Sequence, residues 1–286
     1  MLGRYGKDAG SLLGVEIAPD SVRMLQLRRR KGRDDVIAWA VEPLAPVKNG
    51  EDWQSTDRIA PALRAAFQRC GSRQRRVALA LPASQVICKL CHLPAGQSEA
   101  DLEAGLLADA DRLFPFPLED LAMDFQLMGP SQSREGCVDV MVAASRQSAL
   151  QALEAVIDTS GLQLDAVEVD TIALRRMLPR PMPGGAMLLR IEPGSATLHY
   201  WENDRLPQRR EMALDAAADW LCELPGDAPP PDELLVTGLS MAEQDRLDEL
   251  SGRLRIPCRP LPQLVRLDCS GGDMTLACAL AKGGMS

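Results

Sequence analysis

The chain has 286 residues, enough for two cores of ordinary size, and its 46% apolar and 3% aromatic content suits a folded α/β protein rather than a disordered or fibrous one. A net charge of -8 and a pI near 5.0 argue against a nucleic-acid binder, which needs surplus Lys and Arg to displace counterions from phosphates. No run approaches the roughly 20 apolar residues of a membrane span, Met1 to Lys7 lack a signal-peptide core, and the eight cysteines are scattered, so the expectation is a cytosolic protein with reduced thiols.

In chain order, Leu12–Ile17, Val22–Leu27 and Val36–Val41 read as a meander of three antiparallel strands, with Arg28 to Arg33 as the second hairpin's tip. Ile59, Leu63 and Phe67 at four-residue spacing predict a helix stopped by Gly71, followed by a strand over Val77–Leu81. A second β-β-β-α-β run follows in the other half. Its strands are Ala186–Ile191, Ser195–Trp201 and Arg209–Ala213, with a turn at Glu202–Asp204, a helix over Asp215–Leu224 and a fourth strand at Glu233–Thr237. Matched halves imply a duplicated fold with a cleft between the copies.

Residues 88–148 interrupt the first half. Ser98 and Asp101 form a capping box for a helix carrying Leu102, Leu106, Leu107 and Leu113, and Met123, Phe125 and Leu127 alternate as a strand. Val138–Ala144 is a second apolar strand running into Ser145. That serine is expected to cap a helix with Leu150, Leu153, Val156 and Ile157 on one face and Gly161 as its stop, before a strand over Leu164–Val169. The second half has little room for a matching insert.

Leu81-Pro82-Ala83-Ser84, Leu93-Pro94-Ala95-Gly96, Phe114-Pro115-Phe116-Pro117-Leu118-Glu119, Asp124-Phe125-Gln126 and Val138 to Arg146 stand in an order and spacing that resembles the PilM family of type IV pilus assembly proteins. The resemblance implies an actin-like fold (ribonuclease H-like duplicated halves). Subdomain 1A would comprise 1–87 and 149–180, an inserted 1C-type subdomain 88–148 as in FtsA, and subdomain 2A 181–286 with a missing or reduced 2B. It further implies a structural adaptor on the cytosolic side of the bacterial inner membrane, held there through its partner. That partner is the N-terminal peptide of PilN, linking it indirectly to PilO and the assembly platform.

Actin-like ATPases cradle a triphosphate between two Asp-x-Gly hairpin turns. Here the corresponding residues are Glu16 and Ser21 in the first turn, Glu192, Gly194, Ser195 and Thr197 in the second, and Gly238 where the adenosine would lie. Ala18 adds a Cβ, Pro19 removes an N–H, and Asp20 at ~4 Å from a phosphate would oppose binding by roughly 4 kcal/mol at an effective dielectric near 20. The expectation is therefore a degenerate cleft, no cofactor and no catalysis. The alternative is an ATPase in which Glu16 and Glu192 still hold Mg-ATP weakly.

For the partner, Phe114, Phe116, Leu118, Glu119 and Asp120 offer apolar side chains rimmed by acid, as an extended peptide with a basic residue requires, although one of the two rings is expected in the insert's own core. Cys88, Cys91 and His92 lack further ligands and read as strand residues rather than a zinc site. The basic residues Arg28 to Arg33, Arg73, Arg75 and Arg76 fit either a solvated tip or an anionic lipid surface. Asp170, beside Glu168, reads as a helix cap rather than an acid–base pair.

Overall fold

A computed structural model describes residues 11–44, 55–179, 187–192, 195–202, 206–213, 233–238, 244–262 and 273–285. The expected helix at 215–224 and most of the turn at 202–204 lie outside these residues, as does Gly194.

The first five-stranded sheet has the order β3-β2-β1-β4-β8, from β1 (Leu13–Ile17), β2 (Ser21–Arg30), β3 (Arg33–Pro43), β4 (Arg76–Leu81) and β8 (Gln163–Val169). β1, β2 and β3 pair antiparallel, while β4 and β8 join in parallel. The second repeats the pattern as β11-β10-β9-β12-β13, from β9 (Met187–Glu192), β10 (Ser195–Glu202), β11 (Leu206–Ala213), β12 (Leu234–Thr237) and β13 (Cys258–Pro260). Three antiparallel strands followed by parallel ones in each sheet is the duplication expected from the sequence.

The arginine run departs from expectation. Arg28, Arg29 and Arg30 belong to β2, and the turn is only Lys31 and Gly32, both at positive φ (50° and 77°), as a two-residue hairpin favours. Arg29 Nε bonds Asp34 Oδ1 at 2.8 Å across that hairpin, which helps extend the ladder past the point where apolar residues stop.

α1 (Thr56–Cys70) ends on Gly71 in the left-handed conformation and buries Ile59, Leu63 and Ala66 on one face of the first sheet. α4 (Gln147–Thr159) adds Val156 and Ile157 to the same core. The expected cap of α4 is corrected. Ser145 lies within β7 (Cys137–Arg146), and the free N–H of Ser148 donates instead to Asp120 Oδ1 at 2.8 Å. A carboxylate from 28 residues away does the work of a local hydroxyl, so the strand continues to Arg146.

The insert is a three-stranded antiparallel sheet, β5-β7-β6, from β5 (Ile87–Pro94) and β6 (Leu121–Pro130) flanking β7. α2 (Glu99–Ala108) begins at the predicted box: Ser98 Oγ accepts the Asp101 N–H at 3.2 Å and donates to its carboxylate at 2.6 Å. α3 (Ala110–Leu113) follows it, and Leu106 and Phe114 close one sheet face against Val140, Val142 and Ala144.

The largest core belongs to neither half alone. α7 (Thr275–Gly283) and α5 (Asp170–Leu174) pack with Leu12, Leu25 and Leu27 of the first half and Leu188, Trp201 and Leu235 of the second. α6 (Gln244–Leu254) covers the second sheet's other face through Leu247 and Leu254. α7 itself lies against β1 and β2 of the first half.

That packing depends on Gly14. A Cβ there would sit 2.0 Å from the Ala277 carbonyl oxygen and 2.6 Å from the Ala281 nitrogen, both backbone atoms of α7. Gly14→Ala is expected to destabilise the protein by about 3 kcal/mol, the upper range for overpacking. Urea denaturation checks this, and wild-type stability in the variant would show that α7 is free to shift.

Candidate functional site

The two hairpins named from the sequence meet at the junction of the halves, and their own side chains fill the space between them. Arg190 Nη2, on β9, donates to Glu16 Oε1 at 2.6 Å, and its Nε donates to Asp273 Oδ2 at 2.9 Å. Arg23, on β2, answers from the other side. Its Nη1 lies 3.2 Å from Glu192 Oε1 and 3.4 Å from Glu16 Oε1, and it donates to the Asp273 carbonyl at 3.1 Å. Its Nε donates to Ser21 Oγ at 3.0 Å, and its Nη2 reaches Asp20 Oδ1 at 3.2 Å. Asp273 is fixed by Thr237 Oγ1 at 2.9 Å and the Thr275 N–H at 3.0 Å. β1, β2, β9, β12 and the start of α7 all converge on this cluster.

Burial makes these contacts consequential. Glu16, Arg23 and Arg190 are 5%, 2% and 6% exposed, and removing one member of a buried ion pair typically costs about 3–5 kcal/mol because the survivor's charge is uncompensated. Burial pushes the Glu16 carboxyl above its ordinary pKa, with Arg190 and Arg23 offsetting only part of that; Glu16 Oε2 is buried without a hydrogen-bond partner. Asp273 goes the other way. Burial raises it, but Arg190 and the bonds from Thr275 and Thr237 together bring it below the usual carboxylate value. Burial would lower both guanidinium pKa values, yet Glu16 and the other surrounding carboxylates hold them above the ordinary one.

The remaining phosphate-turn residues are placed as follows. Ser21 Oγ is spoken for by Arg23 and donates to Asp20 Oδ1 at 2.7 Å. Ser195 and Thr197 stand on β10 opposite Glu192 and Arg190. Gly238, at φ 89°, has a backbone reason of its own, since a Cβ would meet the Ile191 carbonyl oxygen at 1.9 Å. Arg23, Arg190 and Asp273 were not singled out from the sequence. The available signal was a charged residue inside an apolar strand, Val22-Arg23-Met24 and Leu189-Arg190-Ile191, which on a two-sided buried sheet demands a partner.

A second polar link joins the halves. Asp170 Oδ1 accepts from the N–H groups of Thr171 (2.5 Å) and Ala83 (3.0 Å), and Asp170 Oδ2 pairs with Arg209 Nε of β11 at 3.2 Å. The expected capping role is corrected: Asp170 is the first residue of α5, whose N-cap position is Val169, and its carboxylate instead bridges to the other half through Arg209. The Thr171 hydroxyl, 3.0 Å from Asp170 Oδ1, also stands 2.8 Å from His199 Nδ1 on β10. A carboxylate only accepts, so the hydroxyl donates to Asp170 and receives the His199 Nδ1–H.

In the insert, the five residues named for partner binding separate. Phe114, 4% exposed, is corrected from a surface anchor to a core residue. Phe116 is partly buried in the same core, with the Arg146 guanidinium 5.4 Å above its ring. Asp120 is engaged by Ser148 and by Arg146 Nη1 at 3.0 Å, and the Ser148 N–H and hydroxyl lower its pKa. Leu118, 51% exposed, and Glu119 remain at the surface. Cys88 and Cys91 lie on β5 as expected, the Cys88 thiol pushed up to about 11 mainly by burial, and His92 Nδ1 meets Asp139 Oδ1 at 2.8 Å. Of the basic residues, Arg76 holds Asp165 through two 2.7 Å bonds, and Arg75 stacks on Phe67 and bonds the Gly161 carbonyl.

The family described as "Type IV pilus assembly protein PilM" matches residues 14–187. Among solved structures, a PilM-PilN type IV pilus biogenesis complex aligns with TM-score 0.71 at 18% identity, over 96% of this chain and 99% of that one. The cytoplasmic domain of EpsL, an inner membrane component of the type II secretion system of Vibrio cholerae, aligns with TM-score 0.56 at 15% identity, over 96% and 95%. A Bacteroides thetaiotaomicron protein with an actin-like ATPase fold gives 0.50 at 10% identity, over 95% of each chain. The fold is actin-like. No helix among the described residues is long and apolar enough to cross a membrane.

His199 makes the junction pH-sensitive. Burial, then Arg190 and Arg209, hold its pKa well below the 6.5 of a free imidazole. Below pH 6.5 the unfolded chain binds a proton there that the folded protein refuses, so stability present above that pH is lost as pH falls towards the depressed value, at up to about 1.4 kcal/mol per pH unit. Chemical denaturation from pH 7.5 down to 5.5 should show this slope, and His199→Gln should flatten it; parallel curves for the two proteins would remove His199 as the cause.

Proposed function

The chain belongs to the PilM family of type IV pilus assembly proteins, and we propose that it serves pilus assembly as a non-catalytic adaptor. It docks the N-terminal cytoplasmic peptide of PilN and through it PilO and the inner-membrane platform, on the cytoplasmic side of that membrane. What supports the non-catalytic part is the position of Arg23 and Arg190, whose ion pairs lie between the first and second turns. The position between the turns, where a family ATPase would place phosphates and Mg²⁺, holds two guanidiniums already paired with Glu16, Glu192 and Asp273. These residues do not fit a Mg-triphosphate. With Asp20 included, four carboxylates surround two guanidiniums, so an incoming polyanion meets net negative charge and must break buried ion pairs to gain a cation.

Isothermal titration with Mg-ATP is expected to give no binding at micromolar concentrations and no turnover. Micromolar affinity, or a phosphate release that Glu16→Ala abolishes, would replace the adaptor reading by that of a working ATPase.

The partner reading rests on family membership and on the fold shared with a PilM-PilN complex. Within the segment first considered, Leu118 and Glu119 are the side chains free to make contact, whereas Phe114 and Asp120 are committed to the insert's core and to α4. Leu118→Glu is expected to weaken binding of a synthetic PilN N-terminal peptide by about 1.5 kcal/mol, as loss of an interface anchor does, with the unfolding midpoint unchanged. Unchanged affinity in the folded variant would move the contact off this segment.

A further inference from the structure

β6 is a terminal strand of the insert's sheet, paired with β7 on one side only. Along its open side, between the strand and α2, runs a groove of about 320 Å³ lined by Glu99, Glu103 and Leu107 of α2 and by Leu121, Met123, Asp124 and Phe125 of β6. Its walls are of two kinds. Leu121, Met123 and Phe125 alternate with period two and give an apolar strip on the face towards α2, continued by Leu107, which is 47% exposed. Glu99, Glu103 and Asp124 supply three carboxylates, and neither Glu99 nor Glu103 makes an ion pair among the described residues.

The backbone of the edge is also available. Among the described residues no strand pairs with β6 on the side away from β7, and of the donors along β6 the Phe125 N–H is taken by the Asp124 side chain at 2.8 Å. An exposed edge with apolar side chains on one face is a template for an added strand, and edges that avoid pairing are usually short or guarded by Lys. β6 spans 10 residues and has no Lys; its register irregularity between Leu127 and Gly129 and its proline at Pro130 both lie at the far end, beyond the groove.

We propose that this groove binds an extended segment of a partner polypeptide by strand addition to β6, with apolar side chains of the segment set towards Leu107, Met123 and Phe125 and Lys or Arg at its ends facing Glu99, Glu103 and Asp124. The carboxylates favour a basic occupant and disfavour an acidic one. The surface is additional to the Leu118–Glu119 contact of the proposed adaptor role, and its occupant does not compete with the PilN peptide.

The probe is a fluorescein-labelled heptapeptide, Lys-Val-Ser-Leu-Ser-Val-Lys, titrated with the full chain by fluorescence anisotropy. Binding is expected, weakened about tenfold by the pair Glu99→Lys and Glu103→Lys on the exposed face of α2, and lost when Glu replaces both Lys of the peptide. Of two peptides N-methylated at alternate positions, the one whose donors face the β6 edge should fail to bind, since strand addition rests on main-chain hydrogen bonds. Absence of probe binding, equal affinity for the charge-reversed peptide, or tolerance of both methylation patterns would overturn the proposal. Displacement of the probe by the PilN peptide would overturn its independence from the adaptor contact. Loss of PilN binding in Leu118→Glu with probe binding intact would uphold both surfaces.

Discussion

A guanidinium buried between two sheets must be paired on every side, and Arg190 sets that condition for this protein. Its partners come from β1 of the first half and from Asp273, two residues before α7, so the charge is satisfied only when the two halves and that helix are in register together. Arg23 imposes the same requirement from the opposite half. Desolvating these charges is unfavourable taken alone, and the Coulomb attraction offsets it only at close range and good geometry. The cluster therefore adds less to net stability than to the choice of one relative placement of the halves. A cleft held this way is a joint.

The apolar contacts agree with that role. α7 carries Leu276, Ala277, Leu280 and Ala281 into a core drawn from both sheets, and the small residues let it approach β1 until Gly14 leaves no room for a side chain. The Asp170–Thr171–His199 chain and the Asp170–Arg209 pair repeat the cross-half linkage at the other end of the junction. Three independent sets of contacts, ionic, apolar and hydrogen-bonded, thus fix the junction.

The insert is built differently. Asp120 is one anchor, accepting the Ser148 N–H at the start of α4 and pairing with Arg146, and so ties the small sheet to the first half by its base. Beyond that base, β6 and the exposed Leu107, Leu118 and Leu127 present apolar surface that nothing within the described chain covers.

The duplicated strand order, the insert and its capping box, and the turns carrying Glu16 and Glu192 were legible because each is written locally: period-two and helical spacing, Gly stops and a Ser-x-x-Asp box act within a few residues. What the sequence could not determine is pairing across distance. Nothing near Ser145 reveals that a carboxylate at Asp120 caps α4, and nothing near Thr275 reveals that its helix leaves the second half to pack on Gly14. The most consequential case is the cleft. The sequence by itself places Glu16-Ile17-Ala18 and Glu192-Pro193-Gly194 where the fold's ATPases carry Asp-x-Gly turns, because that pattern is local. That Arg23 and Arg190 stand between the turns, paired with Glu16, Glu192 and Asp273, was decided only by the tertiary structure, since an ion pair spanning 174 residues of chain exists only once both sheets have folded and excluded water from between them.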